Sequence, residues 1–479
     1  MVGELNRMSA REAVRRLKAG DLKPEELIDA SAARIADVEP KVNALPTLCL
    51  DRARARVKDL SQRAKATGAH PGWLAGLPVA IKDLNEVEGV RTTFGSPIYA
   101  DHVPKQSDLV TRTLEARGAL VVGKSNTPEF GAGANTFNEV FGKTLNPWNT
   151  ALTCGGSSGG AAVALATGEV WLASGSDLGG SLRTPAAFCS VVGLRPTPGR
   201  VAHGPKPMAF DTMSVDGPMA RDVRDCALML DAMAGTDPFD PLSLEDPACS
   251  FQSAVAAAKP PKRVAFSADL GGVNPVDAEV RAICEKAARR FADLGTAVEG
   301  AAPDFTGHYE AFHTMRAYGF AANRKPLLDA HRDKLKPEVI WNIEKGLKLT
   351  ALEIGRAEHL RGALVQRMAK FFETYDVLLC PAAIVPPFDV NKRFLESLNG
   401  FVFDNYIDWV GITFAITVTS CPAISIPCGF TADGRPVGLQ IVAAPRREAQ
   451  LLAAAALLED ALGLAKLLPI DPKPAKLPA

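Results

Sequence analysis

Two stretches of this sequence set hydroxyls among glycines: Cys154-Gly-Gly-Ser-Ser-Gly-Gly160 and Ser176-Asp-Leu-Gly-Gly-Ser-Leu-Arg183. Ser157 of the first and Ser181 of the second stand 24 residues apart. Acyl transfer to a serine needs a nucleophilic hydroxyl, a group that takes its proton, and backbone amides aimed at the oxyanion. Gly179 and Gly180 leave the amides before Ser181 uncrowded, so several can converge on one point. Alone, Gly-Gly-Ser describes a tight turn with a hydroxyl cap equally well. Ser157 and Ser158 lie between two glycine pairs, and the small residues Ala161 to Ala166 then read as a helix. That places the loop at a helix N-terminus rather than in a flexible linker.

A candidate proton acceptor lies upstream. Lys82 ends the apolar run Leu77-Pro-Val-Ala-Ile81. At a surface strand end it is an ordinary lysine. Buried there, its charged form is penalised by desolvation and it becomes a usable base, unless the adjacent Asp83 pairs with it and holds it charged.

Other patterns fail on context. Val79-Ala-Ile-Lys82 and His331-Arg-Asp333 spell kinase fragments, but no Gly-x-Gly-x-x-Gly precedes the lysine, no Asp-Phe-Gly follows Asp333, and Glu338 occupies the asparagine position. Gly155 to Gly160 has phosphate-loop spacing with Ala161 in place of the lysine. Gly155-Gly-Ser157-Ser-Gly159 fits a nucleophile elbow, which requires a histidine. His203, His308, His313, His331 and His359 are downstream, none in a segment built around it.

These residues need a large frame. The 479-residue chain has no linker-like segment, which reads as one catalytic domain over 1–479: N-terminal helices about 8–65, a core about 75–200, a variable pocket region about 200–420 and closing strands about 421–460. Lys+Arg and Asp+Glu both total 54, so no basic excess favours nucleic acid. Nine cysteines without Cys-x-x-Cys spacing argue for reduced thiols, no structural zinc and a cytoplasmic location. No signal peptide or membrane-length apolar run is found, so no membrane partner is expected.

Ser9-x-x-Glu12 caps a first helix and Pro24 to Val38 repeats the pattern. Leu77 to Ile81, Ala119 to Val122, Val264 to Ser267, Asp376 to Cys380 and Ala423 to Pro427 read as buried strands, and 105–118, 160–168, 276–294 and 345–374 as helices. Alternation of this kind predicts an α/β fold, a mixed central sheet with helices on both sides. The last ten residues read as a loose tail.

Together, these residues resemble the amidase signature family. The resemblance rests on Gly155-Gly-Ser-Ser-Gly-Gly160, its spacing to Gly175-Ser-Asp-Leu-Gly-Gly-Ser-Leu-Arg183, Pro185 and Gly193-Leu-Arg-Pro-Thr197. Gly76-Leu-Pro-Val-Ala-Ile-Lys-Asp83, Gly123 to Phe130, Asn146-Pro-Trp148, Cys421 to Pro427 and Gly434 to Gln440 extend it over roughly residues 8–460. The resemblance implies a cofactor-free, metal-free hydrolase of carboxamide C–N bonds. Ser181 is then the nucleophile, Ser157 the bridging serine beside an unusual cis peptide, and Lys82 the base. The amides of Leu178, Gly179, Gly180 and Ser181 would form the oxyanion hole, and Asp177 and Arg183 would support the loop. Phe130, Cys154 and Ser158 are candidate substrate contacts, and Phe137, Phe141 and the stretch Phe401 to Trp409 could add an apolar pocket for a small aryl or alkyl amide. A carbamate, lactam or ester hydrolase, or the glutaminase subunit of a tRNA-dependent amidotransferase, shares the same triad; the amphipathic N-terminal helices would suit a homodimer contact.

Overall fold

The computed structural model describes residues 2–475. Eleven strands build the central sheet: Thr47–Leu48 (β1), Pro78–Lys82 (β2), Leu120–Ser125 (β3), Leu172–Asp177 (β4), Val192–Arg195 (β5), Val215–Ala220 (β6), Arg263–Phe266 (β7), Ala297–Gly300 (β8), Val377–Pro381 (β9), Ala423–Phe430 (β10) and Pro436–Val442 (β11). Their spatial order is β1-β3-β2-β4-β6-β5-β10-β11-β9-β7-β8. β2 pairs in parallel with both β3 and β4, and β7 with both β8 and β9. The strands between these two groups pair antiparallel. The sheet is mixed and the fold α/β, as the sequence predicts.

Continuous apolar runs such as β2 and β3 are buried at every position because helices cover both faces of the sheet. The helix Gly159–Thr167 is itself buried at every residue, which its alanine and glycine content permits. Two large apolar clusters divide the core. One includes Trp171, Phe188 and Phe414, the other Leu120, Val163 and Leu182. Helices His308–His331, Pro337–Leu347 and Ala351–Phe371 pack on one another beside the cavity described below.

Two expectations need correction. The helix expected over 345–374 is two helices, broken because Thr350 caps the second: its Oγ1 accepts from Glu353 N at 3.2 Å while Glu353 accepts from Thr350 N at 2.8 Å. The tail is not loose through Lys473. Ile470 N donates to Ala166 O (2.9 Å), Lys473 N to Pro147 O (2.9 Å), and Asp471 pairs with Arg34 at 2.7 Å. Residues 476–479 lie outside the described part. Among the described residues no helix is long and apolar enough to cross a membrane, and all nine cysteines are free thiols.

Candidate active site

β2 delivers Lys82 at its C-terminal end with no exposed surface. Its backbone N donates to Ser174 Oγ (3.2 Å), fixing the strand end against β4. Its Nζ lies 2.7 Å from Ser157 Oγ, 2.8 Å from Ser158 Oγ and 3.0 Å from Ser176 Oγ. Burial lowers its pKa to about 7, against the opposing pull of Asp216 and Asp177. Asp83 does not pair with it; that carboxylate holds Lys124 Nζ at 3.0 Å.

The peptide bond Gly156–Ser157 is cis. Directly after it starts the helix Gly159–Thr167. A Cβ on Gly160 would sit 2.3 Å from Asn126 N, so the helix can approach β3 this closely only with glycine there. Ser158 N donates to Ser181 O (3.2 Å), which ties the two serine segments together.

The segment after β4 is organised by Asp177, buried completely. Burial alone would raise its pKa, but Arg183, Arg195 and backbone amides overcome that and hold the carboxyl well below the usual carboxylate range. Its Oδ1 accepts from Gly180 N (2.9 Å) and Arg183 Nη2 (2.8 Å), and its Oδ2 from Leu182 N (3.0 Å). Arg183 reaches onward to Thr413 O (2.9 Å), Thr417 Oγ1 (3.0 Å) and Gln440 Oε1 (2.6 Å). Gly180 has φ +122, and a Cβ there would lie 2.3 Å from Thr413 Oγ1, so this corner admits only glycine. One expectation changes here. The Gly180 N–H is engaged by Asp177, whereas the amides of Leu178, Gly179 and Ser181 have no acceptor among the described residues.

A cavity of about 530 Å³ opens at this point, and Ser157, Ser176, Leu178, Gly179, Gly180, Ser181 and Phe130 all line it. Cys154 and Ser158 do not. Cys154 is buried with its Sγ toward Thr144 O, and Ser158 stands behind Lys82, accepting from Ser176 N (3.3 Å). Phe137 lies under Arg393 and Phe141 under Arg91, away from the cavity. Of the stretch Phe401 to Trp409 only Ile407 reaches it, and Trp409 is core. The rings that do line it include Phe94, Tyr99 and Phe320. His203 borders the cavity too, but the basic side chain in hydrogen-bond contact with Ser157 Oγ is Lys82.

Ser176, Asn85, Asp108 and Asp216 were not anticipated. β4–β6 pairing sets Ser176 opposite Asp216, and Asn85 Nδ2 lies 3.4 Å from both Asp216 and Asp108. Burial raises Asp108 to about 7. Ser176 sits in the signature stretch, and its polar side chain at a buried strand end was the available signal.

The family model Amidase matches residues 26–452. The chain is 37% identical to an acylamidase of Rhodococcus erythropolis over 471 residues, covering 98% of each. It is 34% identical to a glutamyl-tRNA(Gln) amidotransferase subunit of Thermosynechococcus vestitus over 465 residues, 92% of this chain and 95% of that protein. The crystal structure of a bacterial aryl acylamidase superimposes with TM-score 0.89 at 29% identity, covering 98% of this chain and 100% of the other. A 6-aminohexanoate cyclic dimer hydrolase complexed with substrate gives 0.87 at 26% identity over 98% and 99%. The chain belongs to the amidase family, the amidase signature enzymes, and is a hydrolase of amide C–N bonds.

Proposed function

We propose that the protein hydrolyses a small aryl or alkyl amide through a seryl acyl-enzyme, as one catalytic domain, with Ser181 as nucleophile, Ser157 as proton bridge and Lys82 as base. The observation that carries this reading is the 2.7 Å contact between Lys82 Nζ and Ser157 Oγ, with the amine buried and its pKa lowered to about 7. A neutral Nζ accepts the Ser157 proton while Ser157 takes the proton of Ser181. Ser181 Oγ bonds to the amide carbon, and the amides of Gly179 and Ser181 hold the oxyanion, each worth about 3 kcal/mol of barrier. Collapse breaks the C–N bond and the relay returns a proton to the departing amine. Water then attacks the ester and leaves a carboxylate, regenerating Ser181. Asp177 is a positioning residue, acting through the loop amides it holds.

Both relatives are matched over nearly their whole length, and the identity is higher to the Rhodococcus acylamidase (37%) than to the amidotransferase subunit (34%), which favours an independent amidase. The test is a serine-directed fluorophosphonate, with the adduct mapped by peptide mass spectrometry, beside an anilide and amide panel. An adduct on Ser181, lost in Ser181→Ala and slowed in Lys82→Ala, is expected. An adduct on Ser157 that persists without Lys82 would overturn the assignment.

A further inference from the structure

We propose that the cavity-facing stripe of helix His308–His331, formed by Arg316, Phe320 and Arg324, recognises a carboxylate carried by the substrate; this rests on the amide-hydrolase reading and narrows its substrate class. Spacing of four residues places the three on one helix face, and all three line the cavity. Both guanidinium carbons lie 4.8 Å from the Phe320 ring centroid, and Arg324 also stacks over Phe130 at 5.0 Å.

Neither arginine has an ion pair among the described residues. Arg316 is 5% exposed, donates to Tyr406 Oη (2.7 Å), and its Nε has no partner. The Nε of Arg324 has none either. Nearby carboxylates are committed elsewhere. Asp408 accepts from Tyr309 (3.0 Å) and contacts His313 (2.8 Å), while Glu129 accepts from Ser96 (2.6 Å) and Lys336 N (2.8 Å).

Burying the Arg316 guanidinium without an ion pair is costly, and the partly buried Arg324 beside it adds a second positive charge to the wall of a substrate-sized cavity, a pair that a ligand anion matches. The planar fork suits a carboxylate, and the stacked rings suit an alkyl or aryl spacer between that carboxylate and the amide. Asp216, opposite Ser176 across the paired strands, borders the same cavity, so an anionic group is better accommodated at the helix than at that wall.

Matched pairs test this on the purified enzyme: adipic acid monoamide against hexanamide, with the charge on the acyl side, and N-acetyl-4-aminobenzoate against acetanilide, with the charge on the amine side. In at least one pair the carboxylated member is expected to be preferred about tenfold or more in kcat/KM. The preference should fall toward unity in Arg324→Gln and return in part in Arg324→Lys. Adipate, and not 1,6-hexanediol, should inhibit the wild-type enzyme competitively, a measurement that needs no variant to fold. Equal kcat/KM within both pairs, or a preference unchanged in Arg324→Gln, overturns the carboxylate site while leaving amide hydrolysis intact. Absence of fluorophosphonate labelling at Ser181 overturns the active-site reading instead.

Discussion

Lys82 and Lys124 stand on neighbouring parallel strands, β2 and β3, with no exposed surface on either. Ile81 pairs with Lys124 in register, so strand alternation sends Lys82 to one face of the sheet and Lys124, with Asp83, to the other. Lys124 Nζ there meets Asp83 (3.0 Å), Asn85 O (2.8 Å) and Thr92 Oγ1 (2.7 Å). Lys82 meets three serine hydroxyls and no contacting carboxylate. Burial lowers the pKa of both, but at Lys124 the contact with Asp83 opposes it. One carboxylate contact thus separates the two buried amines, Lys124 paired as a structural cation and Lys82 unpaired and available for the base role proposed above, and the acidic residue adjacent to Lys82 in the chain is the wrong guide to its partner.

Three measurements separate the pair. The largest effect is expected in Lys82→Ala: kcat/KM for any amide substrate should fall about 10³-fold or more, since general-base loss alone is worth about 10²–10⁴, while the melting temperature moves little. If Lys124→Ala causes an equal loss of activity with folding intact, the distinction fails. Next, Asp83→Asn strands Lys124 as an uncompensated buried charge and should cost about 3–5 kcal/mol of stability by denaturant titration. The same change should leave the Lys82 pKa low. The smallest effect is the pH profile. Lys82 must be neutral to accept a proton, so kcat/KM should decline about tenfold per unit as pH falls below about 7 and be flat above it. For stability the sign is set by a folded pKa below the free value of about 10.4. Between those values the unfolded chain binds the extra proton, so this lysine's contribution to stability rises with pH from about 7 and its penalty is fully present below.

β2, β3, β7, β9 and β10 were legible because they are apolar runs. β4 and β6 were not: Leu172-Ala-Ser-Gly-Ser-Asp177 and Val215-Asp-Gly-Pro-Met-Ala220 hold residues that strands disfavour. Packing explains them, since a Cβ on Gly217 would lie 2.3 Å from Leu194 O and one on Gly175 would lie 2.8 Å from Ser158 Oγ. Those two strands carry Ser176 and Asp216, two of the four site residues hidden from the sequence; Asn85 and Asp108 lie in segments outside them. Lys82, Ser157 and Ser181 could be picked out by type and spacing. That Asp177 would engage the Gly180 amide, and that Cys154 would turn away from the cavity, depends on contacts no local pattern encodes.

Arg183 holds Asp177 from one side and Thr413, Thr417 and Gln440 from the other. Its anchors are separated from it by more than two hundred residues of chain. A chain ending before Gln440 can form the local contacts of Asp177 with Gly180, Leu182 and Arg183, but the full set of far anchors that fixes Arg183 against the rest of the sheet needs the closing strands.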